Sequence, residues 1–399
     1  MRYPWSIYIL LAASFYCINN DTVAQVNQPP LMFTEMDGVL ELDNGMEIPI
    51  WGYGLSSDGF ITLPGPLLEY ETGDNITISF VNPSSESHTI HLHGLDVDQA
   101  NDGVPATSFL VPQDETGSYS FTASSPGTFL YHCHVTTTLH LTMGMYGMIL
   151  VRHPGGVLFE NGPSYYSDAP LLFSDLEVAT NVAPVQSYPF HDIRPDYFMV
   201  NGKSGSQLNL GESILSCPAN DTIALRLGSM AYTITKLIFP PELNAKCWMS
   251  DGRPVPEPFG VDTIQIFPGE RFTILISPPS EYDGEIEVES WDMVNHQLLH
   301  TNYVRVRDET LNIDEFGMNN NNDSGYIIYP NPVTSTLNIQ SSDIQMIMGW
   351  AIYDDLGRIT EKGFNPGQTL VLDISTYKPG TYLFTDSSGR TKSFIKTMD

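Results

Sequence analysis

Basic residues are scarce in this chain of 399 residues: 17 Lys and Arg stand against 47 Asp and Glu, a formal net charge of −30. A surface that acidic repels phosphate backbones and anionic headgroups, which argues against nucleic acid and an anionic membrane as partners. Long apolar runs are missing as well. The one near the start, WSIYILLAASFYC, is too short and too interrupted to span a bilayer. With Arg2 ahead of it and Thr22-Val23-Ala24 behind, it predicts an export signal over residues 1–24. Cysteine is rare too, 4 in all, and Cys17 falls inside that signal. Cys133, Cys217 and Cys247 then form an odd set for an oxidising compartment, so one thiol needs protection. Cys217 and Cys247, 30 residues apart, read either as a disulfide or as two separate buried thiols. Cys133, with a histidine on each side, reads as a thiolate capped by a metal.

What is present is an ordinary apolar content of 41% on a chain long enough for two or three domains. No long helical period competes with short alternating runs such as ITISFV, TIHLH, YSFTA, TFLYHCH and GMILV, broken by Asp-Gly, Asn-Gly and Pro-Gly turns. The fold class expected is therefore all-β, with a first β-sandwich over residues 30–155. Residues 165–307 repeat the plan: DNITISFV (Asp74 to Val81) matches DTIALRLG (Asp221 to Gly228), and SYSFTASSPGTFLYHCH matches RFTILISPPSEYDGEIEVESW. In that alignment Tyr232, Thr235 and Leu237 stand where His88, His91 and His93 do, and Glu289, Ser290 and Trp291 stand opposite His132, Cys133 and His134. The second sandwich keeps the fold without the metal chemistry. An Asn-rich linker, 308–325, leads to a third small β-sandwich over 326–399.

The chemistry is concentrated in one region, because six of the 10 histidines fall between His88 and His140. A thiolate, imidazoles and a thioether within one stretch, His132 to Met145, suit copper. Alternation along a strand puts His91 and His93 on one face and His88 on the other; it likewise parts His132 and His134 from Cys133. One arrangement satisfies both strands. Cys133 and His88 meet on the core side, completed by His140 and Met145, as a mononuclear electron-transfer copper with two His, one Cys and an axial Met. His91, His93, His132 and His134 gather on the opposite side as sites for further copper. Met143 and Met148 read as packing, and the isolated His153, His191, His296 and His300 as ordinary buried polar groups.

HTIHLHG and HCHVTTTLHLTMGM resemble the His-x-x-His-x-His and His-Cys-His elements of the multicopper oxidase family, which includes laccases and copper nitrite reductases. The resemblance covers residues 30–307 and implies two cupredoxin-like Greek-key sandwiches. It implies His88, Cys133, His140 and Met145 as type 1 copper ligands, His91 as a type 2 ligand, and His93, His132 and His134 as type 3 ligands. Cys133, His132 and His134 would then carry electrons between centres. The activity implied is a copper-dependent oxidoreductase that takes single electrons from a small-molecule or metal-ion donor and reduces oxygen. An oxygen-reducing cluster of this family uses eight histidines and this domain supplies four. The other half is expected from a neighbour in a homo-oligomer, a dimer or trimer. Two alternatives stay open. One is a nitrite-reductase-like enzyme in which His93 and His132 join a neighbour's His296 or His300, a reading that the seven-residue interval from Cys133 to His140 favours. The other is a blue-copper carrier or copper-binding protein without oxidase activity. The last segment resembles the C-terminal sorting domain of type IX secretion cargo of Bacteroidetes, in its YPNP opening, the Tyr353-Asp354-Asp355-Leu356-Gly357 turn, Pro379-Gly380-Thr381-Tyr382 and the Lys396 tail. It implies that the type IX machinery carries the chain out, to be secreted or held on the outer-membrane surface.

Overall fold

The computed structural model describes residues 31–43, 45–184, 193–209, 213–310, 326–341, 349–353, 359–364, 369–386 and 391–397. The export signal, His191, almost all of the linker and Asp354 to Gly357 of the sorting-segment turn lie outside the described residues.

The alternating runs near the start become β1 (Leu31–Glu41), β2 (Glu47–Leu55), β3 (Leu68–Glu71), β4 (Asn75–Asn82), β5 (His91–His93), β6 (Glu115–Thr122), β7 (Gly127–His132) and β8 (Tyr146–Arg152). A helix of about two turns, α1 (Thr137–Met143), separates the last two. The strands form two sheets, β2-β1-β4-β6 and β3-β8-β7-β5. Alternation sets which side faces in: in β4, Ile76, Ile78 and Phe80 are buried while Asn75 is exposed. By contrast, all six residues of β7 are buried. One face of β7 packs on its own sandwich, and the other, through Leu130 beside Met148, joins Leu172, Met199 and Met230 of the second sandwich. A strand covered on both sides reads as a continuous apolar run, which is why GTFLYH carries no polar alternation.

The second sandwich contains β9 (Ser167–Leu176), α2 (Val178–Val182), β10 (Tyr197–Val200), β11 (Leu215–Cys217), β12 (Ile223–Ser229), β13 (Ile234–Ile238), β14 (Lys246–Ser250), β15 (Arg253–Gly260), β16 (Thr263–Ile266), β17 (Arg271–Ile276), β18 (Asp283–Trp291) and β19 (Leu298–Asp308). Its sheets run β10-β9-β12-β17-β14-β15 and β11-β19-β18-β13-β16. Cys217 and Cys247 are both free thiols buried in its core, so of the two readings the separate thiols hold. Asp168 joins the two sandwiches, accepting from Arg152 at 2.5 Å and Arg226 at 2.6 Å, with Glu69 on the far side of Arg152 at 2.6 Å. Arg226 is 1% exposed, and a guanidinium so desolvated is tolerable because a carboxylate meets it.

Pairing corrects half of the internal alignment. His91 lies opposite His132 in the first sandwich, and Lys236 lies opposite Glu289 in the second. Leu92 and Leu237 are the buried residues that follow, so the core side chain fixes the register one residue along. The counterparts of His88, His91 and His93 are therefore Thr233, Lys236 and Ile238, not Tyr232, Thr235 and Leu237. Glu289, Ser290 and Trp291 keep their places. An ion pair of 2.9 Å between Lys236 and Glu289, with Trp291 Nε1 also donating to Glu289, takes the place of the histidine pair.

The third unit comprises β20 (Tyr326–Tyr329), β21 (Thr336–Ser341), β22 (Gly349–Tyr353), β23 (Ile359–Phe364), β24 (Thr369–Asp373), β25 (Gly380–Asp386) and β26 (Thr391–Lys396). Sheets β20-β21-β24 and β23-β22-β25-β26 close over Leu337, Ile339, Ile352 and Phe384.

Candidate metal centre

Two clusters of ligating side chains lie on opposite sides of β5 and β7. Opposite pairing of His91 with His132, and of His93 with Leu130, turns these three imidazoles to one side and Leu92 and Tyr131 to the core. His88 stands just before β5, held by mutual backbone hydrogen bonds with Val111, and Cys133 stands just after β7.

On the core side His88, Cys133 and His140 are fully buried. The Cys133 Sγ lies 3.0 Å from His140 Nδ1 and 3.7 Å from His88 Nδ1. The local chain explains this convergence. Gly144, at φ 114°, ends α1 in a left-handed turn that a side chain would strain, and its N–H caps the carbonyls of His140 and Leu141. The Met145 N–H then donates to His140 O at 2.9 Å, while Met145 O accepts from the Cys133 N–H at 3.1 Å. Backbone bonds thus tie Cys133, His140 and Met145 together, and Met145 is buried in the same core as Cys133. The Nε2 of His140 faces the Glu86 carboxylate at 3.2 Å. A carboxylate there accepts Nε2–H and leaves Nδ1 as the free donor atom toward the thiol. Burial, and after it His140, pull His88 down to about 3. Burial pushes the Cys133 thiol up. Neutral imidazoles beside a thiol that only a soft cation would deprotonate fit copper well.

On the outer side the ligand atoms of His91, His93 and His132 lie within 4.8 Å of one another. The carbonyl of Asp102 takes the Nδ1–H of His91 at 2.7 Å, and that of Cys133 takes the Nδ1–H of His132 at 3.0 Å. A carbonyl can only accept, so both rings keep Nε2 free as a ligand. His93 Nδ1 approaches His132 Nε2 at 3.5 Å. Burial, followed by the Arg271 charge, lowers His93 to about 4, and burial lowers His132 to about 3. His134 stands beside this trio, its ring 5.3 Å from His91 and 5.9 Å from His132.

The remaining described histidines stand apart. His300 stacks on Phe198 at 5.4 Å, His153 bonds Pro154 O, and His296 sits in the β18–β19 turn. Among the described residues, the groups of three or more clustered metal-ligating side chains are the two above. Three neighbours carry no ligand-like spacing and escaped the sequence reading: Glu86, and from the second sandwich Gly269 and the buried Arg271. A Cβ at Gly269 would stand 3.0 Å from Cε1 of His93, and the Arg271 guanidinium packs on Gly94, whose φ is +87°.

Residues 61–156 match the multicopper oxidase family and residues 327–398 the secretion system C-terminal sorting domain. The chain is 26% identical over 197 residues to the copper-containing nitrite reductase of Neisseria gonorrhoeae, covering 49% of this chain and 47% of that protein. It is 29% identical over 248 residues to Laccase-1 of Cryptococcus neoformans var. grubii, covering 56% and 38%. The chain thus spans about half the length, or less, of the curated relatives it matches. The solved blue copper oxidase from Nitrosomonas europaea superposes with a TM-score of 0.59 at 25% identity, over 72% of this chain and 87% of that one. The sorting domain marks an exported chain, secreted or held at the cell surface, and no described helix is long and apolar enough to cross a membrane. The chain joins a multicopper oxidase domain of cupredoxin architecture to a C-terminal type IX secretion sorting domain.

Proposed function

We propose that this is a copper-dependent oxidoreductase that takes single electrons from a small donor and delivers them to oxygen. His88, Cys133, His140 and Met145 would hold one copper, and His91, His93, His132 and His134 would hold the copper of a second centre. Copper bound there would supply one-electron acceptance at the first centre and oxygen reduction at the second. The observation that carries the reading is the junction between them: Cys133 of one group and His132 of the other are adjacent in sequence, on opposite sides of the sheet. The Nδ1–H of His132 also bonds the Cys133 carbonyl, so a covalent route and a hydrogen-bonded route run side by side. Glu86 fixes the tautomer of His140, and Asp102 fixes that of His91.

A neighbour is part of the proposal. Three imidazoles converge on the outer side, His91 and His93 remain partly exposed, and no described histidine of the second sandwich approaches them. A second copy of this chain, in a dimer or trimer, would supply the missing ligands. The donor is a phenol, an amine or a metal ion, and the charge of −30 favours a cation or neutral molecule over an anion. The type IX machinery would carry the protein out as its sorting-domain cargo.

A second reading has one observation behind it. Three close imidazoles are enough for a single copper, as a nitrite-reductase-like enzyme would need. The same negative field opposes an anionic substrate. Copper-loaded protein assayed for oxygen uptake on a phenol or Cu(I), and separately for nitrite consumption, decides between them. Oxygen uptake without nitrite turnover is expected, and the converse would replace the first reading with the second.

A further inference from the structure

We propose that Tyr232, from the second sandwich, is a positioning residue for the His88–Cys133–His140 centre and acts through helix α1. The proposal rests on reading that trio as a copper site. At seven residues, α1 is too short to hold its own shape, and its N-cap Thr136 sits at φ 42° with no side-chain cap. Its position therefore depends on what grips it from each side. From the first sandwich, Trp51 meets the edge of the His140 ring at 5.6 Å. From the second, the Tyr232 hydroxyl donates to Thr138 O at 3.1 Å and lies 3.3 Å from the Thr142 hydroxyl. Those two threonines flank His140 by two residues on either side.

Tyr232 is itself anchored. Its N–H donates to both oxygens of Asp175 at 2.9 and 3.0 Å, and Thr233 adds an N–H at 3.0 Å and a hydroxyl at 2.7 Å. Asp175 is 3% exposed on β9, so the anchor is a carboxylate buried in the second sandwich and satisfied by neighbouring donors. A hydrogen-bonded line thus runs from β9 through Asp175 and Tyr232 into the helix that presents His140 Nδ1 to Cys133. Leu141 packs beside Leu172 and Met230, which supplies apolar contact but fixes no orientation. The second sandwich, whose described residues form no ligand cluster, orients a ligand in the first.

The test uses the full chain with Tyr232→Phe, which keeps the ring and removes the hydroxyl. Tyr166→Phe, whose hydroxyl meets Glu309 far from α1, serves as the control. Two readouts are compared: amide hydrogen exchange of α1 in the metal-free protein, and the visible and electron paramagnetic resonance spectra after loading with Cu(II). Tyr232→Phe is expected to speed α1 exchange about tenfold, the loss expected of one hydrogen bond, and to shift the thiolate–copper signal. Wild-type values for both in Tyr232→Phe, or equal changes in the control, would overturn the proposal. Should Tyr232→Phe fail to fold, Thr142→Val, which removes the other hydroxyl of the contact, is held to the same outcomes. If wild-type protein gave no thiolate–copper signal, the copper reading would fail while the exchange arm still decided whether Tyr232 holds α1.

Discussion

Cys133 carries the greatest chemical weight of any single residue. Burial alone makes its thiol reluctant to ionise, and two neutral imidazoles lie within 3.7 Å of its sulfur. Such a group is stable either as a buried thiol or as a metal thiolate. Cys133→Ser is therefore expected to abolish the visible thiolate-to-copper absorption and lower electron transfer by several orders of magnitude, with copper retained at His91, His93 and His132. Loss of copper from both centres in that variant would mean the two are one coupled site. At this scale the sequence was highly legible, because alternation along two short strands separates His88, His91, His93, His132, His134 and Cys133 into two faces. Glu86 and Arg271 were not legible: one sits in a serine-rich loop and the other in another sandwich, and only folding brings them to His140 and His93.

Among the elements, α1 and its exit turn hold the centre together. Gly144 stands at φ 114°, and a Cβ there would come within 2.9 Å of the Trp51 carbonyl oxygen. Gly144→Ala is expected to cost about 1–3 kcal/mol of stability. It should also displace Met145, whose backbone joins Cys133 to His140. A urea unfolding series measures the first effect and the thiolate–copper spectrum the second, and an unchanged midpoint would show that the turn carries no such strain. The turn-forming glycine and the strand periods could be seen in the sequence. The register of β13 against β18 could not, since a one-residue slip leaves Thr and Leu equally placed until burial of Leu237 decides it.

For the whole molecule, buried imidazoles link stability to pH. In the metal-free protein His88 and His132 fall to about 3 and His93 to about 4, from an ordinary 6.5. The unfolded chain takes up these protons first, so stability present above pH 6.5 is lost as pH falls toward the folded values. Asp175, raised by burial from 3.8 to about 6, works in the opposite sense between those values. Three histidines oppose one carboxylate, so the melting temperature of metal-free protein is expected to fall between about pH 6.5 and 4; a flat or rising profile would contradict this account. The sandwich architecture and the sorting domain were legible because strand alternation and motif sequences are local. The close junction of the first two sandwiches was not, since Asp168, Arg152 and Arg226 look like ordinary surface charges until folding buries Arg226. The central claim is that one sheet holds two copper centres joined through Cys133 and His132. Copper per chain in fully loaded native protein, measured together with its electron paramagnetic resonance spectrum, tests it most directly. The expected result is more than one copper per chain, with a thiolate-type signal accompanied by histidine-bound copper; a single copper per chain with the thiolate signal alone would contradict it.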